Sequence, residues 1–289
     1  MRNRKSTIVA TLLVAMIAAD FAAGDAGSRS EGLAALLEQQ PEMFKARYQY
    51  RHPQQTLAFF EVEAGMTVVE ALPGGGWYSK IFVPYLGMDG HLIGADYAQE
   101  MWPLFGFFSD KYVEDKKTWV TDWPAEAKEW GGTGGAKVSA FKFGTMPASL
   151  HGTVDRVLFV RALHNLNRFD GQGGFLKDAL RNAYDALKPG GLLCVVQHQA
   201  RENKPDEWAR GQRGYLKKAY VIESLEQAGF EFLGDIAINE NKYDRPGDND
   251  VVWRLPPSFN GVGDNAERKK ELEEIGESNR MTLKFRKPE

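Results

Sequence analysis

Two acids and one histidine follow apolar runs in this sequence, each at or just past the end of a predicted strand. Glu70 and Asp96 close the first two runs, and His164, with Asn165 beside it, follows a third run at residues 154–160. A carboxylate accepts hydrogen bonds from hydroxyl or ammonium groups, and a histidine near neutral pH can accept a proton as a general base. These residue types support ligand binding combined with proton transfer.

A glycine-rich loop follows the first of these acids. Residues 73–79 read Pro-Gly-Gly-Gly-Trp-Tyr-Ser, between an apolar β-branched run and an amphipathic segment at residues 78–86. This pattern predicts a strand, a tight loop and a helix. The glycines, Gly74, Gly75 and Gly76, allow backbone N–H groups to approach a ligand closely, and the helix N-terminus faces it. The loop therefore predicts a site for a nucleotide-like ligand.

The predicted strands place the chemical residues at one edge of a sheet. A strand, helix, strand unit is parallel with a right-handed crossover, so Asp96 is expected beside the glycine loop. His164 and His198 are expected at the same carboxyl edge, where ligands bind in such sheets. The two histidines raise the alternative of a metal site completed by Asp96 or Asp250, but their spacing matches no established ligand pattern, and we predict no metal.

Two cofactor classes have glycines after the first strand and an acid after the second. A dinucleotide site requires glycine or alanine at the last position of G-x-G-x-x-G. Ser79 occupies that position here. A nicotinamide-dependent oxidoreductase is therefore disfavoured, and it stays open as the third alternative.

The same segments resemble the motifs of class I S-adenosylmethionine-dependent methyltransferases. Residues 68–79 look like their first motif, residues 91–96 like their second strand, and residues 187–193 like the lead into their fifth strand. The closest resemblance is to predicted exported bacterial methyltransferases with a P-G-G-G-W-Y loop. It extends over about residues 52–287 and includes three further motifs, at residues 161–165, 228–230 and 280–285.

The resemblance implies an α/β fold, a Rossmann-like three-layer sandwich with a seven-stranded, mostly parallel sheet and an antiparallel last strand. It also implies S-adenosylmethionine as the cofactor and an unidentified small molecule as the methyl acceptor. Leu72 departs from the family, which usually has glycine at that position. A non-catalytic exported binding or scaffold module that keeps the fold is therefore the main alternative to an active methyltransferase.

The implied cofactor assigns roles to the acids and glycines. S-adenosylmethionine has no phosphate, so its site needs close backbone approach, an acceptor for the ribose hydroxyls and apolar walls. We expect the approach at Gly74, Gly75 and Gly76, and the ribose hydroxyls at Asp96. Glu70 is expected to hold the loop or, through water, the methionine ammonium. The structural alternatives are a helix N-cap for Asp96 and a buried acid bonding backbone amides for Glu70.

Methyl transfer from a sulfonium is an in-line displacement, so the protein mainly positions the acceptor. A general base is required only where the nucleophile carries a proton of high pKa. We expect His164 to act as this base, Asn165 to orient the acceptor and Tyr78 to line the pocket. The alternative for His164 is a structural histidine that caps the strand end.

Composition limits the remaining function classes. The chain has 289 residues, 43% of them hydrophobic, which is enough for a substantial core. Its net charge is -3, and no long basic run with interleaved aromatics occurs, so we predict no nucleic-acid partner. Cys194, the only cysteine, is expected in a buried strand and cannot form an internal disulfide.

The N-terminus has the pattern of a secretory signal peptide. Basic residues precede an apolar run at residues 8–19, and small residues follow at 22–26. The run is shorter than the ~20 residues of a spanning helix, so we expect cleavage, no stable membrane span afterwards and a periplasmic or secreted protein. The predicted organisation is a signal peptide at 1–24, a helical cap at 25–66 and the main domain at 67–289.

Long segments between the predicted strands give weaker signals. Residues 98–130 are aromatic-rich and are interpreted as irregular, and residues 131–135, which contain four glycines, as a flexible connector. Residues 102–130 and 239–257 are expected to form the lid that selects the acceptor. Neither the acceptor nor the oligomeric state is predicted.

Overall fold

The computed structural model describes residues 32–289 of the chain. The predicted signal peptide lies outside the described residues. Within this range, no helix combines the length and the apolar character needed to cross a membrane.

Eight strands form one sheet around which the molecule is built. The order along the main path is β3-β2-β1-β4-β5-β8-β7, and β6 pairs with β5 off this path. Strands β1 to β5 are parallel, and β8 runs antiparallel between β5 and β7. This arrangement confirms the predicted mostly parallel sheet with an antiparallel last strand. The strands are β1 Thr67–Ala71, β2 His91–Asp96, β3 Lys137–Lys142, β4 Val154–Val160, β5 Leu187–Ala200, β6 Leu216–Lys217, β7 Glu231–Asp235 and β8 Arg280–Arg286.

Helices cover both faces of the sheet. Val68 and Val69 point to opposite faces because side chains alternate along a strand, and each belongs to a different hydrophobic core. The structure is therefore a three-layer sandwich, with its parallel strands buried on both sides. The helices are α1 (32–38), α2 Glu42–Lys45, α3 Tyr48–Arg51, α4 Pro53–Phe59, α5 Ser79–Leu86, α6 Asp110–Asp115, α7 Trp119–Lys128, α8 Leu163–Gly173, α9 Phe175–Ala186, α10 Lys218–Gln227 and α11 Ala266–Ile275.

The described part of the predicted helical cap packs onto the same core as the sheet. Leu33 and Leu37 of α1 and Leu57 of α4 are buried together with Ile81 and Leu86 of α5. At roughly 1.5–3 kcal/mol for each fully buried leucine, these contacts hold the N-terminal helices firmly on one face. They bring α2 and α3 beside the glycine loop.

The segment at residues 98–130 is ordered, which corrects the irregular prediction. A 3₁₀ segment, Gln99–Phe105, leads into α6 and α7. Ser109 caps α6 by accepting a hydrogen bond from the Tyr112 N–H at 3.2 Å. Trp123 of α7 packs on Gly94 of β2, where a Cβ atom would lie only 2.6 Å from the indole ring. The aromatic residues obscured the helical periodicity, because they occur on exposed as well as on buried faces of the segment.

One further local prediction was wrong, and one helix was not predicted. Residues 131–135 are not a free connector, since a Cβ on Gly131 would lie 2.6 Å from the Val83 side chain. His164 lies just past the end of β4, as predicted, and there it occupies the first turn of α8, a helix that the sequence pattern did not predict. That helix ends in a segment containing Gly171 and Gly173, and this glycine content obscured it.

Candidate functional site

Strands β1 and β4 lie side by side, and both leave the sheet through a strained residue. Leu72 after β1 has φ 55° and Arg161 after β4 has φ 58°, the left-handed region that glycine favours. Such a conformation costs about 1–2 kcal/mol for a residue with a side chain. Backbone hydrogen bonds hold both residues in this conformation. The Leu72 N–H donates to the Ala95 carbonyl at 2.7 Å, and the Arg161 N–H donates to the Val196 carbonyl at 2.6 Å. Strain of this kind is concentrated at functional sites.

A large cavity, here called the β1/β4 pocket, opens at this edge. Its volume is about 700 Å³, within the range of small-molecule sites. Its wall combines the glycine loop, the start of α8, the helices α2 and α3 and the segment before β8. The wall residues used below are Phe44, Arg47, Arg51, Leu72, Gly74, Gly75, Trp77, Lys80, Arg161, His164, Asn165, His198, Trp253, Glu277 and Ser278.

A smaller cavity, here called the Asp96 cleft, lies on the other side of β1. Its volume is about 200 Å³. Leu72, Gly74 and Arg161 line both the cleft and the β1/β4 pocket, so the two cavities meet at the strained ends of β1 and β4. The remaining wall of the cleft consists of Asp96, Tyr97, Trp102, Tyr112, Lys116 and Trp119.

Asp96 lies where the sequence predicts it, at the end of β2 beside the glycine loop. Its Oδ1 accepts a hydrogen bond from the Tyr97 N–H at 2.9 Å, but the next helical segment begins at Gln99 with Ala98 as its N-cap, so Asp96 does not have the alternative role of a helix cap. Its Oδ2 lies 3.2 Å from the Lys116 Nζ, which in turn packs over the Trp102 ring. Burial raises the pKa of Asp96, and Lys116 opposes that shift. The carboxylate is satisfied inside the protein.

Glu70 lies beneath the loop and lines neither cavity. The hydroxyl of Ser79, the first residue of α5, donates to its Oε2 at 2.6 Å. Burial raises the pKa of Glu70 to about 7, although the Ser79 bond and Arg161 lower it. This contact ties the end of β1 to the start of α5, which is the loop-holding role predicted for Glu70.

The glycine loop divides its contacts between the pocket and the core. Gly74 and Gly75 line the pocket, but Gly76 lies against Trp130, where a Cβ atom would be 2.6 Å from the indole. Tyr78 is 4% exposed and its ring stacks on that of Phe82 in the core. The structure does not bring Tyr78 into the pocket wall, since the preceding residue, Trp77, occupies that place.

His164 lies in the pocket wall with a defined tautomer. The Gln197 amide donates to the Gly214 carbonyl at 3.0 Å, so the Gln197 Oε1 faces His164 and accepts from its Nδ1–H at 3.3 Å. Burial lowers the pKa of His164 to about 4, and burial together with His164 lowers that of His198. Both rings are neutral at physiological pH, and His164 keeps Nε2 as an acceptor.

Asn165 lies between the pocket and a third, aromatic cavity of about 690 Å³. Its Nδ2 donates to the Tyr97 hydroxyl at 3.0 Å, and its Oδ1 is buried without a partner among the described residues. A buried acceptor without a donor costs about 1–3 kcal/mol, so this oxygen is suited to a ligand donor. Both predicted lid segments reach this cavity, through Trp102 and Trp253.

An arginine cluster, which the sequence did not predict as a site, surrounds one carboxylate at the pocket. Glu277 is paired with Arg47 and with Arg51 through Oε1 and with Arg280 through Oε2. Burial raises the pKa of Glu277, but Arg280 and Arg51 outweigh that effect and lower it to about 2. Arg161 and Arg280 lie in the quoted sequence motifs, but nothing in a linear pattern shows that α2, α3, β4 and β8 converge.

The alternative of a metal site finds no support in the geometry. In the part of the chain that the structure describes, no group of three histidine, cysteine, aspartate or glutamate residues is arranged to hold a metal ion. His198 Nδ1 instead lies 2.6 Å from the Ser278 hydroxyl.

Comparisons with known proteins support the fold. No protein-family model matches the chain, and no curated protein matches it either. Among solved structures, the chain is similar to a putative methyltransferase in complex with the Haloferax volcanii Trm112 methyltransferase activator, with a TM-score of 0.51, 16% identity, and coverage of 90% of this chain and 97% of that one. It is also similar to the [4+2]-cyclase SpnF, with a TM-score of 0.50, 18% identity, and coverage of 82% and 80%. At these identities the comparison establishes a Rossmann-like methyltransferase fold, and a fold alone does not determine a reaction.

Proposed function

We propose that the chain is an S-adenosylmethionine-dependent methyltransferase that acts on a small-molecule acceptor. The observation that carries the proposal is the junction of the Asp96 cleft with the β1/β4 pocket at Leu72, Gly74 and Arg161. A group-transfer enzyme needs its donor and its acceptor held against a shared boundary. The two cavities provide that arrangement at the edge of the sheet where ligands bind.

The residues of the cleft fit the cofactor in type. Asp96 provides acceptors for the ribose hydroxyls, the rings of Tyr97 and Trp102 provide walls for adenine, and Gly74 permits close backbone approach. The cleft volume of about 200 Å³ is below the ~300 Å³ of the smallest ligand pockets. Lys116 lines the cleft and is paired with Asp96, so cofactor binding requires the Lys116 side chain to move away from Asp96. When bound, S-adenosylmethionine supplies an electrophilic methyl group on its sulfonium.

The protein's own groups orient the acceptor. His164 donates its Nδ1–H to Gln197 and keeps Nε2 available to accept a hydrogen bond or a proton. With a pKa of about 4 it is a weak base, so it suits an acceptor whose proton becomes acidic as transfer proceeds. The unpartnered Asn165 Oδ1 provides a second acceptor, which orients a hydroxyl or amine of the substrate.

A non-catalytic exported binding module is the second candidate. Two features favour it. Lys116 is paired with the Asp96 carboxylate that the ribose hydroxyls of a cofactor would need, and the Leu72 side chain takes up space at the cleft. The similarity to a [4+2]-cyclase shows that proteins of this fold need not share one reaction.

Export is part of the proposal. The basic and apolar pattern of residues 1–24 supports a cleaved signal peptide and a periplasmic or secreted protein. Mass spectrometry of the protein recovered from the periplasm or the medium of an expressing bacterium tests both cleavage and export. A chain shortened by about 24–26 residues is expected, and a full-length chain retained in the cytoplasm would contradict it.

Calorimetric titration of the protein with S-adenosylmethionine, S-adenosylhomocysteine and NAD tests the function. Micromolar binding of the first two, about -8 kcal/mol, with none of NAD, is the expected result. Binding of none of them would favour the non-catalytic module, and binding of NAD alone would revive the nicotinamide alternative that Ser79 disfavours.

A further inference from the structure

The β1/β4 pocket carries more positive charge than the protein neutralises. Arg47, Arg51, Arg161 and Arg280 surround a single carboxylate, that of Glu277. Burial and the neighbouring Arg161 lower the pKa of Arg51 to about 10, which still leaves it charged at neutral pH. A second carboxylate, that of Glu70, is within electrostatic reach of Arg161, but burial raises its pKa to about 7, so at least two positive charges of the cluster are uncompensated by side chains. Buried charges normally have partners, so a cavity with this excess of positive charge favours an anionic ligand.

Arg161 is the member of the cluster that is free to bind. Its guanidinium forms neither a hydrogen bond nor an ion pair within residues 32–289. The chain holds it there in the left-handed conformation, with φ 58°, and burial lowers its pKa. A strained backbone that places an unpaired arginine in a cavity wall is unfavourable for stability alone. An arginine fork matches a carboxylate or a phosphate in two parallel hydrogen bonds.

The rest of the wall suits an aromatic or apolar group beside the anion. Trp77, whose ring lies 4.6 Å from the Arg51 guanidinium, and Trp253, which packs against His164, both line the cavity. The two histidines are neutral, so they add no charge to the wall. Lys80 at the rim lies over the Phe44 ring at 5.4 Å and adds a further cation.

We propose that the β1/β4 pocket binds an anionic small molecule, with its carboxylate or phosphate on Arg161 and an aromatic or apolar portion against the wall that contains Trp77 and Trp253. This inference rests on the proposed function only in identifying the bound anion as the methyl acceptor. The anion site itself requires no cofactor, so it is measured separately from cofactor binding.

Three probes that share a benzene ring and differ in charge test the inference: phenyl phosphate, phenylacetate and benzyl alcohol. Calorimetric titration of the full chain is expected to give binding of the two anions at least tenfold tighter than that of benzyl alcohol. The order of the two anions identifies phosphate or carboxylate as the preferred group. Equal affinity for the neutral alcohol would overturn the proposal.

Two substitutions of Arg161 separate binding from folding. Arg161→Gln is expected to weaken anion binding at least tenfold, whereas Arg181→Gln, on the exposed face of α9, is expected to leave it unchanged. Arg161→Gly removes the guanidinium and relieves the left-handed strain, so it is expected to lose anion binding with an equal or higher melting temperature. Anion affinity within twofold of the wild type in the glycine variant would overturn the proposal.

A competition titration distinguishes the acceptor from the cofactor's own carboxylate. Phenyl phosphate is expected to bind in the presence of saturating S-adenosylhomocysteine with unchanged affinity. Mutual exclusion would assign Arg161 to the cofactor and overturn the acceptor assignment. If S-adenosylhomocysteine does not bind at all, the proposed function fails, while the charge dependence of the three probes still decides the anion site.

Discussion

The two cavities beside β1 treat their charged groups in opposite ways. In the Asp96 cleft, the carboxylate is paired with Lys116 at 3.2 Å and bonded to the Tyr97 N–H. At the boundary with the β1/β4 pocket, the Arg161 guanidinium, which lines both cavities, has neither kind of partner among the described residues. The cleft is also the smaller, at about 200 Å³ against about 700 Å³. The polar groups of the Asp96 cleft are thus bound by the protein itself, whereas the Arg161 guanidinium remains available to a ligand.

This difference indicates how the two ligands enter. A ligand in the cleft has to displace the Lys116 ammonium from Asp96. That displacement is costly unless the ligand forms new hydrogen bonds with the carboxylate, because a buried charge without a partner is unfavourable. A ligand in the pocket meets an unpaired cation, so an anion adds an interaction without breaking one. We therefore expect the acceptor side to bind its ligand without rearrangement and the cofactor side to change on binding.

The largest effect is expected at Glu277, the carboxylate that organises the pocket side. Glu277→Gln leaves Arg51 and Arg280 buried without a counter-charge, so the free energy of unfolding should fall by about 3–5 kcal/mol. Glu231→Gln, which breaks an exposed pair with Arg286, should cost about 0–1 kcal/mol. Urea unfolding measures both. Equal losses in the two variants would contradict the assigned role of the arginine cluster.

The dependence of the unfolding free energy on acidic pH also tests the role of Glu277. The pKa of Glu277 is lowered to about 2 from its ordinary 4.5, so the folded state prefers its charged form. The stability that it contributes is fully present above pH 4.5 and is lost as the pH falls towards 2. Glu277→Gln should remove this part of the acid dependence.

Glu70, in β1 beneath the glycine loop, should show the opposite dependence. Burial raises its pKa from 4.5 to about 7, so its contribution is fully present below pH 4.5 and is lost as the pH rises through 7. The wild type should therefore lose about 3 kcal/mol of unfolding free energy from this group between pH 4.5 and 8. Glu70→Gln should abolish that loss, and the exposed Glu226→Gln should not. Identical pH profiles for all three proteins would show that Glu70 is charged at neutral pH.

Leu72→Gly should have a small effect on stability and a larger one on the cleft. Relief of the left-handed strain, about 1–2 kcal/mol, is offset by lost packing and by the greater entropy of glycine in the unfolded chain. Because Leu72 lines both cavities, its removal should tighten S-adenosylhomocysteine binding several-fold by calorimetry. Glu61→Gly, at φ 52° and away from both cavities, is the control for cofactor binding, since it relieves the same strain and removes only surface ion pairs with Lys284 and Arg156. Weaker binding in the Leu72 variant would show that its side chain contacts the cofactor favourably.

The sheet was predictable because its signals are local. The apolar runs, the glycine loop and the acid at residue 96 each occupy a few consecutive positions, and the alternation of buried faces follows from them. The positions of Asp96, His164 and Asn165 at one edge were also predictable, because parallel strands end together. The helix α8 was missed, since the glycines at its C-terminal end weaken helix propensity there.

The arginine cluster was beyond sequence reasoning for a physical reason. Arg47 and Glu277 are 230 positions apart, and only the packing of the N-terminal helices on the sheet core brings them together. The ion pair between Lys116 and Asp96 likewise depends on where α6 and α7 pack. Linear spacing carries no information on either contact, so the sequence predicted the cofactor side and missed what distinguishes the pocket.

The affinity for S-adenosylhomocysteine of the wild type, Asp96→Asn and Asp155→Asn tests the central claim most directly. Asp155 is a matched control, because it is paired with Lys188 at 2.6 Å at the opposite edge of the sheet. We predict micromolar binding in the wild type and in Asp155→Asn, and binding weakened more than tenfold in Asp96→Asn with an unchanged fold by circular dichroism. Equal affinity in all three proteins would remove Asp96 from the site and contradict the account of the cleft as the cofactor side.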